Sequence, residues 1–333
     1  MSNLVLVTGG CGYVGTQLVP ALVAAGWHVR VLDIQYFGNR LPTGADPAMP
    51  IDLRVGDIRD DRAVASALEG VDAVIHLAAM SNDPSAELDP ELTRSVNLDA
   101  TLNLIGRAKA QGVRRFLNAS TATVYGLREE PDVNEATEHR PITLYGKYKS
   151  ETDQFLSSSS DRGFAGVNLR AATVCGWSPR MRLDLTVNIF AAQAVSVGRI
   201  RVHGGEQRRP NIVIDDLVRA YLTLLDADSD LVRGESFNIC ASNHKVIDLA
   251  RIVSQAVRAD SEIVIEPLID KRSYHISADK IAERIGFRCR YDVDDGARQV
   301  ADAIRDARIA DPTQAIYVNI RHLMETGVVS RRI

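Results

Sequence analysis

The stretch LYGKYKSETD, residues 144–153, is where the sequence first suggests chemistry. It holds two phenols, Tyr145 and Tyr148, and two amines, Lys147 and Lys149, within five positions. A phenol placed close to an amine can accept and return a proton in an active site. Taken alone, the stretch is by default a solvated helix start, and its own residues do not decide which tyrosine would work with which lysine.

A glycine-rich segment, VTGGCGYVG, follows the first apolar run of the chain. Gly9, Gly12 and Gly15 have GxxGxxG spacing, and Gly10, Gly12 and Gly15 also satisfy GxGxxG. Glycine is needed where a backbone turns sharply and approaches a pyrophosphate with no Cβ in the way. A helix beginning near Tyr13 would point its N–H groups and its positive dipole end at the phosphates. The segment therefore predicts a dinucleotide-binding site.

Asp33 ends the second predicted strand and indicates which dinucleotide binds. A carboxylate at this place accepts hydrogen bonds from the ribose 2′-hydroxyl and repels a 2′-phosphate. Arg40, the nearest candidate partner for a 2′-phosphate, lies well past the strand end. NAD is therefore favoured over NADP as the cofactor.

Two further strand ends support the same site. Asp57 and Ile58 follow the third predicted strand, where a carboxylate would lie beside the adenine amino group. The fourth predicted strand ends in Leu77, Ala78 and Ala79, and the small alanines allow the close contact that a cofactor requires. Ligands of open parallel sheets bind at these carboxyl ends.

The elements that would position these residues alternate along the first half of the chain. Short runs of Val, Ile and Leu are typical of buried parallel strands, and the patterns between them are helical. Predicted strands cover residues 4–8, 29–32, 53–55, 73–77, 116–119 and 166–169, and predicted helices cover 13–25, 62–68, 92–111 and 145–160. This order predicts an α/β fold, a Rossmann-type doubly wound parallel sheet.

The pattern becomes irregular after about residue 170, and a helical stretch returns at 215–225. We expect an NAD-binding Rossmann domain over residues 1–170, with a returning segment near 211–240. A smaller, discontinuous α/β substrate-binding domain is expected over residues 171–333.

Composition excludes several classes of function. The 333 residues carry a net charge of −4, so no basic face for nucleic acid or an anionic membrane is expected. The opening MSNLVLVTGG predicts a buried strand and not a signal peptide, and no apolar window is long enough to cross a membrane. The cysteines are scattered, which predicts no metal site, no disulfide framework and a reducing cytoplasm. They are Cys11, Cys175, Cys240 and Cys289.

Taken together, the motifs resemble the extended short-chain dehydrogenase/reductase family, and within it the NAD-dependent nucleotide-sugar epimerase/dehydratase branch. The resemblance covers nearly the whole chain. It rests on VTGGCGYVG, VLD, GDIRD, HLAA, NASTATVYG, YGKYK, GEQRRPNIVIDD and KRSYHISADKIAERIGF in the family's order. It implies an enzyme that binds NAD in its N-terminal domain and a nucleotide-diphosphate sugar between domains, and that works through a transient keto sugar.

The resemblance also assigns the catalytic residues. Family enzymes use Tyr-x-x-x-Lys on a helix, a register that Tyr145 and Lys149 satisfy and Tyr148 does not. Residues four apart lie on one helix face, so the ammonium can sit near the phenol. The family's catalytic hydroxyl corresponds to Thr121, with Ser120 and Thr123 as competitors.

Electrostatics makes the assignment chemically reasonable. A cation at roughly 4 Å, in an effective dielectric near 20, stabilises a phenolate by on the order of 4 kcal/mol. This is nearly three pKa units at about 1.36 kcal/mol per unit. With the positive nicotinamide ring added, we expect Tyr145 to act as a general base near pH 7.

For binding, the resemblance implies further positions. Arg209 and Arg272 correspond to arginines that grip the nucleotide diphosphate, with Arg208 as an alternative to Arg209, and guanidinium forks suit that task. Thr173 stands where relatives often carry an asparagine. Arg180 and Arg182 are additional candidates without a clear family counterpart. The predicted cofactor contacts are Gly9, Gly12, Tyr13, Val14, Gly15, Asp33, Asp57, Ile58, Leu77, Ala78, Ala79, Asn97, Ala119, Tyr145 and Lys149. The predicted substrate contacts are Ser81, Thr121, Thr123, Thr173, Arg180, Arg209 and Arg272.

The reaction is predicted from the two residues directly after Thr121. Dehydratases of this family carry Asp-Glu there and decarboxylases a nearby Glu, whereas this chain has Ala122 and Thr123. STATVYG most resembles the C4-epimerases, so an NAD-dependent nucleotide-sugar epimerase is expected. A dehydrogenase, reductase or dehydratase is the alternative, and a non-catalytic dinucleotide sensor is a second one. The resemblance also implies a homodimer formed through residues 92–111 and 145–160.

Overall fold

The predicted parallel sheet is confirmed by the computed structural model, which describes residues 3–42, 51–81, 83–128, 130, 132–267 and 273–329. The strands are β1 Leu4–Thr8, β2 His28–Asp33, β3 Ile51–Val55, β4 Ala73–His76, β5 Arg115–Thr121, β6 Ala165–Ala171, β7 Thr173–Cys175, β8 Arg199–His203, β9 Arg208–Val213, β10 Ser236–Ile239, β11 Ser242–Lys245 and β12 Glu262–Glu266. The helices are α1 Gly15–Ala24, α2 Asp61–Ala67, α3 Asp83–Leu88, α4 Pro90–Arg94, α5 Thr101–Ala110, α6 Leu144–Ser159, α7 Thr186–Val197, α8 Ile214–Asp226, α9 Ser229–Val232, α10 Val246–Val257, α11 Asp279–Ile285, α12 Val293–Arg305 and α13 Asn319–Glu325.

The main sheet has seven strands in the order β10-β6-β5-β4-β1-β2-β3, and every neighbouring pair is parallel. Side chains alternate between its faces, as the two-residue period of a strand requires. In β1, Val5 and Val7 join a core that includes residues of α1 and α8, while Leu6 joins one formed with α2 and α5. The sheet is therefore buried on both faces, which explains its continuous apolar runs.

The predicted helix over residues 92–111 is observed as α4 and α5 joined without a break by a π-helical stretch, Ser95–Ala100. The wider turn directs the Asn97 amide to the backbone of Met80, with both hydrogen bonds made at 2.8 and 3.0 Å. Turns of this kind cannot be read from helical periodicity, because they add a single residue to it.

The remaining elements form a second unit, which we call the C-terminal unit. It contains a three-stranded sheet, β11-β9-β7, a two-stranded sheet, β12-β8, and the mutually packed helices α7, α10 and α12 around their own core. After β9 the chain passes through α8 and returns to the main sheet at β10. The domain boundaries given above stay a prediction. Among the described residues, helices long and apolar enough to span a membrane are absent.

Candidate active site

A cavity of about 620 Å³ lies along the carboxyl ends of the main-sheet strands, between them and the C-terminal unit. This edge is where open parallel sheets bind ligands. Most predicted site residues meet there. Those that line the cavity are Gly9, Gly12, Tyr13, Val14, Gly15, Asp33, Asp57, Ile58, Leu77, Ala78, Ala79, Ser81, Ala119, Thr121, Thr123, Tyr145, Lys149, Thr173, Arg180 and Arg209.

The glycine loop closes one end of this cavity and has no room for side chains. Gly9 has φ of +73°, and a Cβ there would lie 2.6 Å from the backbone nitrogen of Ala78. A Cβ on Gly15 would lie 2.4 Å from the carbonyl oxygen of Gly10. Helix α1 begins at Gly15, two residues later than expected. In its first turn the N–H groups of Thr16 and Gln17 donate to the carbonyl oxygens of Gly12 and Val14, at 3.0 and 3.2 Å, and the positive end of the helix dipole lies at the glycine loop.

Asp33 is fixed at the end of β2 by the backbone. Its Oδ2 accepts the Cys11 N–H at 2.9 Å, and its Oδ1 accepts the Gln35 N–H at 2.6 Å. Burial raises the pKa of Asp33, and these two hydrogen bonds oppose that rise. Each carboxylate oxygen has a second lone pair, so Asp33 can still accept hydroxyl groups of a ribose.

Asp57 lines the cavity, whereas Asn97 is not among the described residues that line it. Arg59 pairs with Asp57 at 2.5 Å. Burial raises the pKa of Asp57, but the bonds and charge of Arg59 outweigh it and the net change is downward. Asn97 was expected to contact the cofactor, yet it is absent from the described cavity lining, and its amide binds the backbone of Met80. It shapes the loop after β4 instead.

Tyr145, Lys149 and Thr121 converge at the middle of the cavity. Helix α6 begins at Leu144 and is capped by Thr143, whose hydroxyl oxygen accepts the Gly146 N–H at 3.1 Å. This cap places Tyr145 in the first turn and Lys149 one turn further on. The Lys149 Nζ donates to the carbonyl oxygen of Ala119 at 2.6 Å, and it lies 5.9 Å from the centre of the Tyr145 ring.

The hydroxyl of Thr121 is oriented by its neighbour. Its Oγ1 accepts both the backbone N–H and the hydroxyl of Thr123, each at 3.2 Å. With two bonds accepted, the Thr121 oxygen has its own O–H left to donate. The stretch Ala122–Tyr125 after it forms a short 3₁₀ helix, for which Thr121 is the N-cap.

The expected lowering of the Tyr145 pKa is wrong as far as the chain's own charges go. Burial raises the pKa of Tyr145, the Asp83 carboxylate raises it further, and only Arg182 noticeably opposes them. Burial also lowers the pKa of Lys149 to about 8, partly offset by Asp153.

Asp83 is a cavity residue that sequence reasoning did not single out. It lies in the first turn of α3 and accepts the Thr143 hydroxyl at 2.6 Å, which ties the starts of α3 and α6 together. Its carboxylate is close enough to influence the phenol of Tyr145. Its position in the polar loop after β4 was the only signal available in the sequence. Tyr221 and Tyr274 also line the cavity. Tyr274 lies in the motif KRSYHISADKIAERIGF, whereas no sequence pattern pointed to Tyr221.

The predicted substrate-binding arginines are spread along the cavity. Arg209 is buried, with its guanidinium carbon 5.3 Å from the Tyr274 ring centre. Arg180 lies at the cofactor end, 3.8 Å from the ring centre of Phe37. Arg182, on the same segment, pairs with Asp184 at 2.8 Å and approaches the Ser81 hydroxyl at 3.4 Å. Arg272 lies outside the described residues.

Comparison with known proteins identifies the family. Residues 5–240 match the model of the NAD dependent epimerase/dehydratase family. The chain is 32% identical to the UDP-glucose 4-epimerase of Streptomyces lividans, over 68% of this chain and 69% of that protein. It is 32% identical to UDP-glucuronic acid decarboxylase 1 of Arabidopsis thaliana, over 79% of this chain but only 60% of that protein's length.

Solved structures of similar proteins support the same family. The UDP-glucose 4-epimerase of Thermus thermophilus, solved in complex with NAD, has a TM-score of 0.75 and 26% identity and covers 91% of this chain and 99% of its own. The dTDP-glucose 4,6-dehydratase of Streptomyces venezuelae, solved with NAD, has a TM-score of 0.81 and 25% identity and covers 93% of this chain and 100% of its own. The chain therefore belongs to the NAD-dependent epimerase/dehydratase family, and it is an enzyme whose cofactor is NAD.

Proposed function

We propose that this member of the family is a nucleotide-sugar epimerase that inverts the configuration at C4 of the sugar. The observation that carries the proposal is the convergence of Tyr145, Lys149 and Thr121 on the cavity that the glycine loop also lines. A proton-transfer group, a cation and a hydroxyl are thereby available beside one dinucleotide site. The glycine loop and Asp33 would hold NAD there, and NAD would supply the hydride acceptor and donor for the sugar carbon.

The chain's own residues then have distinct roles. Tyr145 takes the proton of the C4 hydroxyl and gives it back to the keto oxygen. The free O–H of Thr121 holds that oxygen, because Thr121 already accepts two hydrogen bonds from Thr123. Lys149 uses one donor on Ala119 and has two left, enough to hold ribose hydroxyls. Arg209 is the candidate for the sugar nucleotide's diphosphate.

Epimerisation is favoured by the residues after Thr121. Ala122 is buried and apolar, and the Thr123 hydroxyl donates to Thr121. Neither can protonate a leaving hydroxyl at C6 as a carboxylic acid would. Among relatives, the Streptomyces lividans and Thermus thermophilus proteins are named UDP-glucose 4-epimerases, which supports the same reaction and suggests a UDP-sugar as substrate.

Asp83 supports a second candidate, the elimination of water from the sugar. It is a carboxylate in the cavity wall whose charge reaches Tyr145. An acid at this point could protonate a leaving hydroxyl, although it comes from the loop after β4 and not from the position used by the dehydratases. The family includes dehydratases and decarboxylases, so the experiment must separate all three reactions.

Proton NMR in D₂O separates them in one measurement. The purified chain is supplied in turn with UDP-, GDP-, CDP- and dTDP-hexoses and with UDP-glucuronic acid. An epimerase converts a sugar to its C4 epimer, with no deuterium in the product and no net NADH. Dehydration removes the C6 oxygen and introduces deuterium at C5, and decarboxylation of the uronic acid releases CO₂. Either outcome contradicts the proposal, and so does stoichiometric formation or consumption of NADH.

Tyrosine variants on one helix provide the control. Tyr145→Phe is expected to lower turnover by at least about a hundredfold, since acid/base catalysis is typically worth 10²–10⁴. Tyr148→Phe removes the neighbouring phenol, which is buried but is not among the described residues that line the cavity. It is expected to retain turnover within about threefold. Equal losses in the two variants would contradict the role assigned to Tyr145.

A further inference from the structure

Arg180 is anchored against the start of the cofactor-binding helix. Its backbone N–H donates to the hydroxyl oxygen of Thr16, in the first turn of α1, at 3.3 Å. The same oxygen lies 2.7 Å from the hydroxyl of Ser178, which donates to the carbonyl oxygen of Tyr13. The segment that enters the C-terminal unit is thus fastened to the glycine loop, and Arg180 begins beside it.

The guanidinium of Arg180 is buried but incompletely hydrogen-bonded. The residue is 4% exposed and lines the cavity, with its guanidinium carbon 3.8 Å from the Phe37 ring centre. Nη2 donates to Asn319 Oδ1 at 2.6 Å, while the buried Nε has no hydrogen-bond partner within the described part of the chain. Burial lowers the pKa of Arg180 to about 9, which leaves it charged at neutral pH.

Such a group needs an anionic acceptor. A buried donor without a partner is costly, and a buried cation without an anion more so. The carboxylates of Asp184 and Asp33 act to raise the pKa of Arg180, but burial and the neighbouring Arg182 outweigh them and the net change is downward. The positive end of α1 faces the same space, and it adds to the attraction for a second anion there.

We propose that Arg180 binds the pyrophosphate of the cofactor from the side opposite the glycine loop. The pyrophosphate would then lie between the N-terminus of α1 and a guanidinium that reaches it from the C-terminal unit. A charged fork is suited to phosphate oxygens and would satisfy the Nε that the chain leaves without a partner. This inference depends on NAD binding and not on which sugar reaction the enzyme catalyses.

Helix α13 positions Arg180 and closes this end of the cavity. Asn319, its first residue, binds Arg180 through Oδ1, donates from Nδ2 to Ser81 at 3.1 Å and from its N–H to Asp184 at 3.1 Å. One turn on, His322 Nε2 donates to the carbonyl oxygen of Tyr36 at 2.8 Å. Its ring stacks on Phe37 with centres 5.1 Å apart. The last helix thus holds both the arginine and the loop on which it stacks.

Titration of the full chain, stripped of nucleotide, tests the proposal. Calorimetry measures the affinities for NAD, for adenosine and for UDP. Arg180→Gln is expected to weaken NAD binding about 10- to 100-fold, the range for hydrogen bonds to a charged group. Adenosine has no phosphate, and UDP reports on the sugar-nucleotide diphosphate, so both affinities are expected to remain within about twofold.

Three further variants sharpen the result. Arg180→Lys keeps the charge but loses the fork and is expected to lose less NAD affinity than Arg180→Gln. Asn319→Ala frees the guanidinium and is expected to give a smaller loss still. Arg308 also stacks on an aromatic ring, 4.7 Å from the centre of Trp177, but is not among the described residues lining the cavity. Arg308→Gln is the matched control and is expected to leave NAD affinity unchanged.

Distinct outcomes would overturn the proposal. An NAD affinity that is unchanged in Arg180→Gln would overturn it. An adenosine affinity that falls as much as the NAD affinity would also overturn it, because it would assign the arginine to the nucleoside. A loss confined to UDP would assign it to the substrate. A merely structural role would lower the melting temperature of the nucleotide-free variant, whereas we expect that temperature to hold or rise and the shift produced by saturating NAD to shrink. If Arg180→Gln does not fold, an NAD affinity in Arg180→Lys equal to that of the natural chain overturns the proposal.

Discussion

Replacing Lys149 by methionine is expected to stabilise the fold while abolishing its chemistry. The side chain is 3% exposed, and among the described residues its ammonium has one hydrogen-bond acceptor, the carbonyl oxygen of Ala119 at 2.6 Å. Asp153 lies one turn further along α6, but its carboxylate is already paired with Arg170 at 2.9 Å. Lys149 therefore keeps its charge in a site that compensates it poorly, and methionine has a similar length without the charge.

The destabilisation caused by the buried charge of Lys149 follows from the pKa of its ammonium. Burial lowers the pKa of Lys149 from its ordinary 10.5 to about 8. At about 1.36 kcal/mol per unit, this corresponds to roughly 3 kcal/mol of destabilisation when the lysine is charged. Losing the hydrogen bond to Ala119 costs the methionine variant about 1 kcal/mol of stability, which offsets part of that gain. At pH 7 we therefore expect Lys149→Met to raise the free energy of unfolding by about 2 kcal/mol.

The dependence on pH identifies the cause. Since the pKa is lower in the folded protein, the unfolded chain binds more protons between pH 8 and 10.5, and the natural protein gains stability as pH rises through that window. The methionine variant has no such gain. Its advantage is therefore largest below pH 8, falls to zero at about pH 9.5, and is replaced above about pH 10.5 by a deficit of about 1 kcal/mol from the lost hydrogen bond. Other groups titrate alike in both proteins and cancel in the difference.

Urea unfolding of nucleotide-free protein at pH 7 and at pH 9.5 measures both effects. Lys147→Met is the matched control, because Lys147 is exposed on the same helix and should change stability by no more than about 0.5 kcal/mol at either pH. A Lys149→Met protein less stable than the natural one at pH 7 would refute the reasoning. So would a difference between them that does not shrink at the higher pH.

Three other predictions concern the cofactor site and the assembly. Gly15→Ala places a Cβ 2.4 Å from the Gly10 oxygen, so we expect about 1–3 kcal/mol less stability in urea and at least about tenfold weaker NAD binding by calorimetry. Asp33→Asn keeps an acceptor for one of the two bound N–H groups but removes the negative charge that repels a 2′-phosphate. We therefore expect the ratio of NAD affinity to NADP affinity, measured in the same titration, to fall about tenfold. The predicted homodimer through residues 92–111 and 145–160 should give twice the chain mass of 36.4 kDa by light scattering, and a monomer at micromolar concentration would contradict it.

Local patterns predicted the parts of the site that depend on neighbours in sequence. Six of the seven main-sheet strands lie within about two residues of the predicted apolar runs, since burial on both faces leaves a continuous signal, whereas β10 was not predicted as a strand and lies in the expected returning segment. The glycines of the loop are sterically required where the pattern places them, at Gly9 against Ala78 and at Gly15 against Gly10. Asp33 ends β2 as expected, because a strand boundary is also a local feature.

Features built from distant segments could not be predicted in this way. Arg180 and Asn319 meet although they are 139 positions apart, and Asn319 and Ser81 although they are 238 apart. No periodicity or motif links a residue near the end of the chain to the loop after β4. The same holds for Asp83, whose influence on Tyr145 arises because α3 packs against the start of α6.

The electrostatics of Tyr145 depends on charges beyond those of the catalytic helix. Within the chain, burial and Asp83 raise the pKa of the phenol, while burial lowers that of Lys149 to about 8. Lys149 therefore remains charged at neutral pH without bringing the phenol near its working range. If Tyr145 acts as the general base proposed above, we expect the positive nicotinamide ring of oxidised NAD to supply the remaining downward shift of its pKa. A base formed only in the presence of oxidised cofactor would start proton transfer when hydride transfer can also occur, which suits the proposed epimerisation, in which each hydride removed is returned.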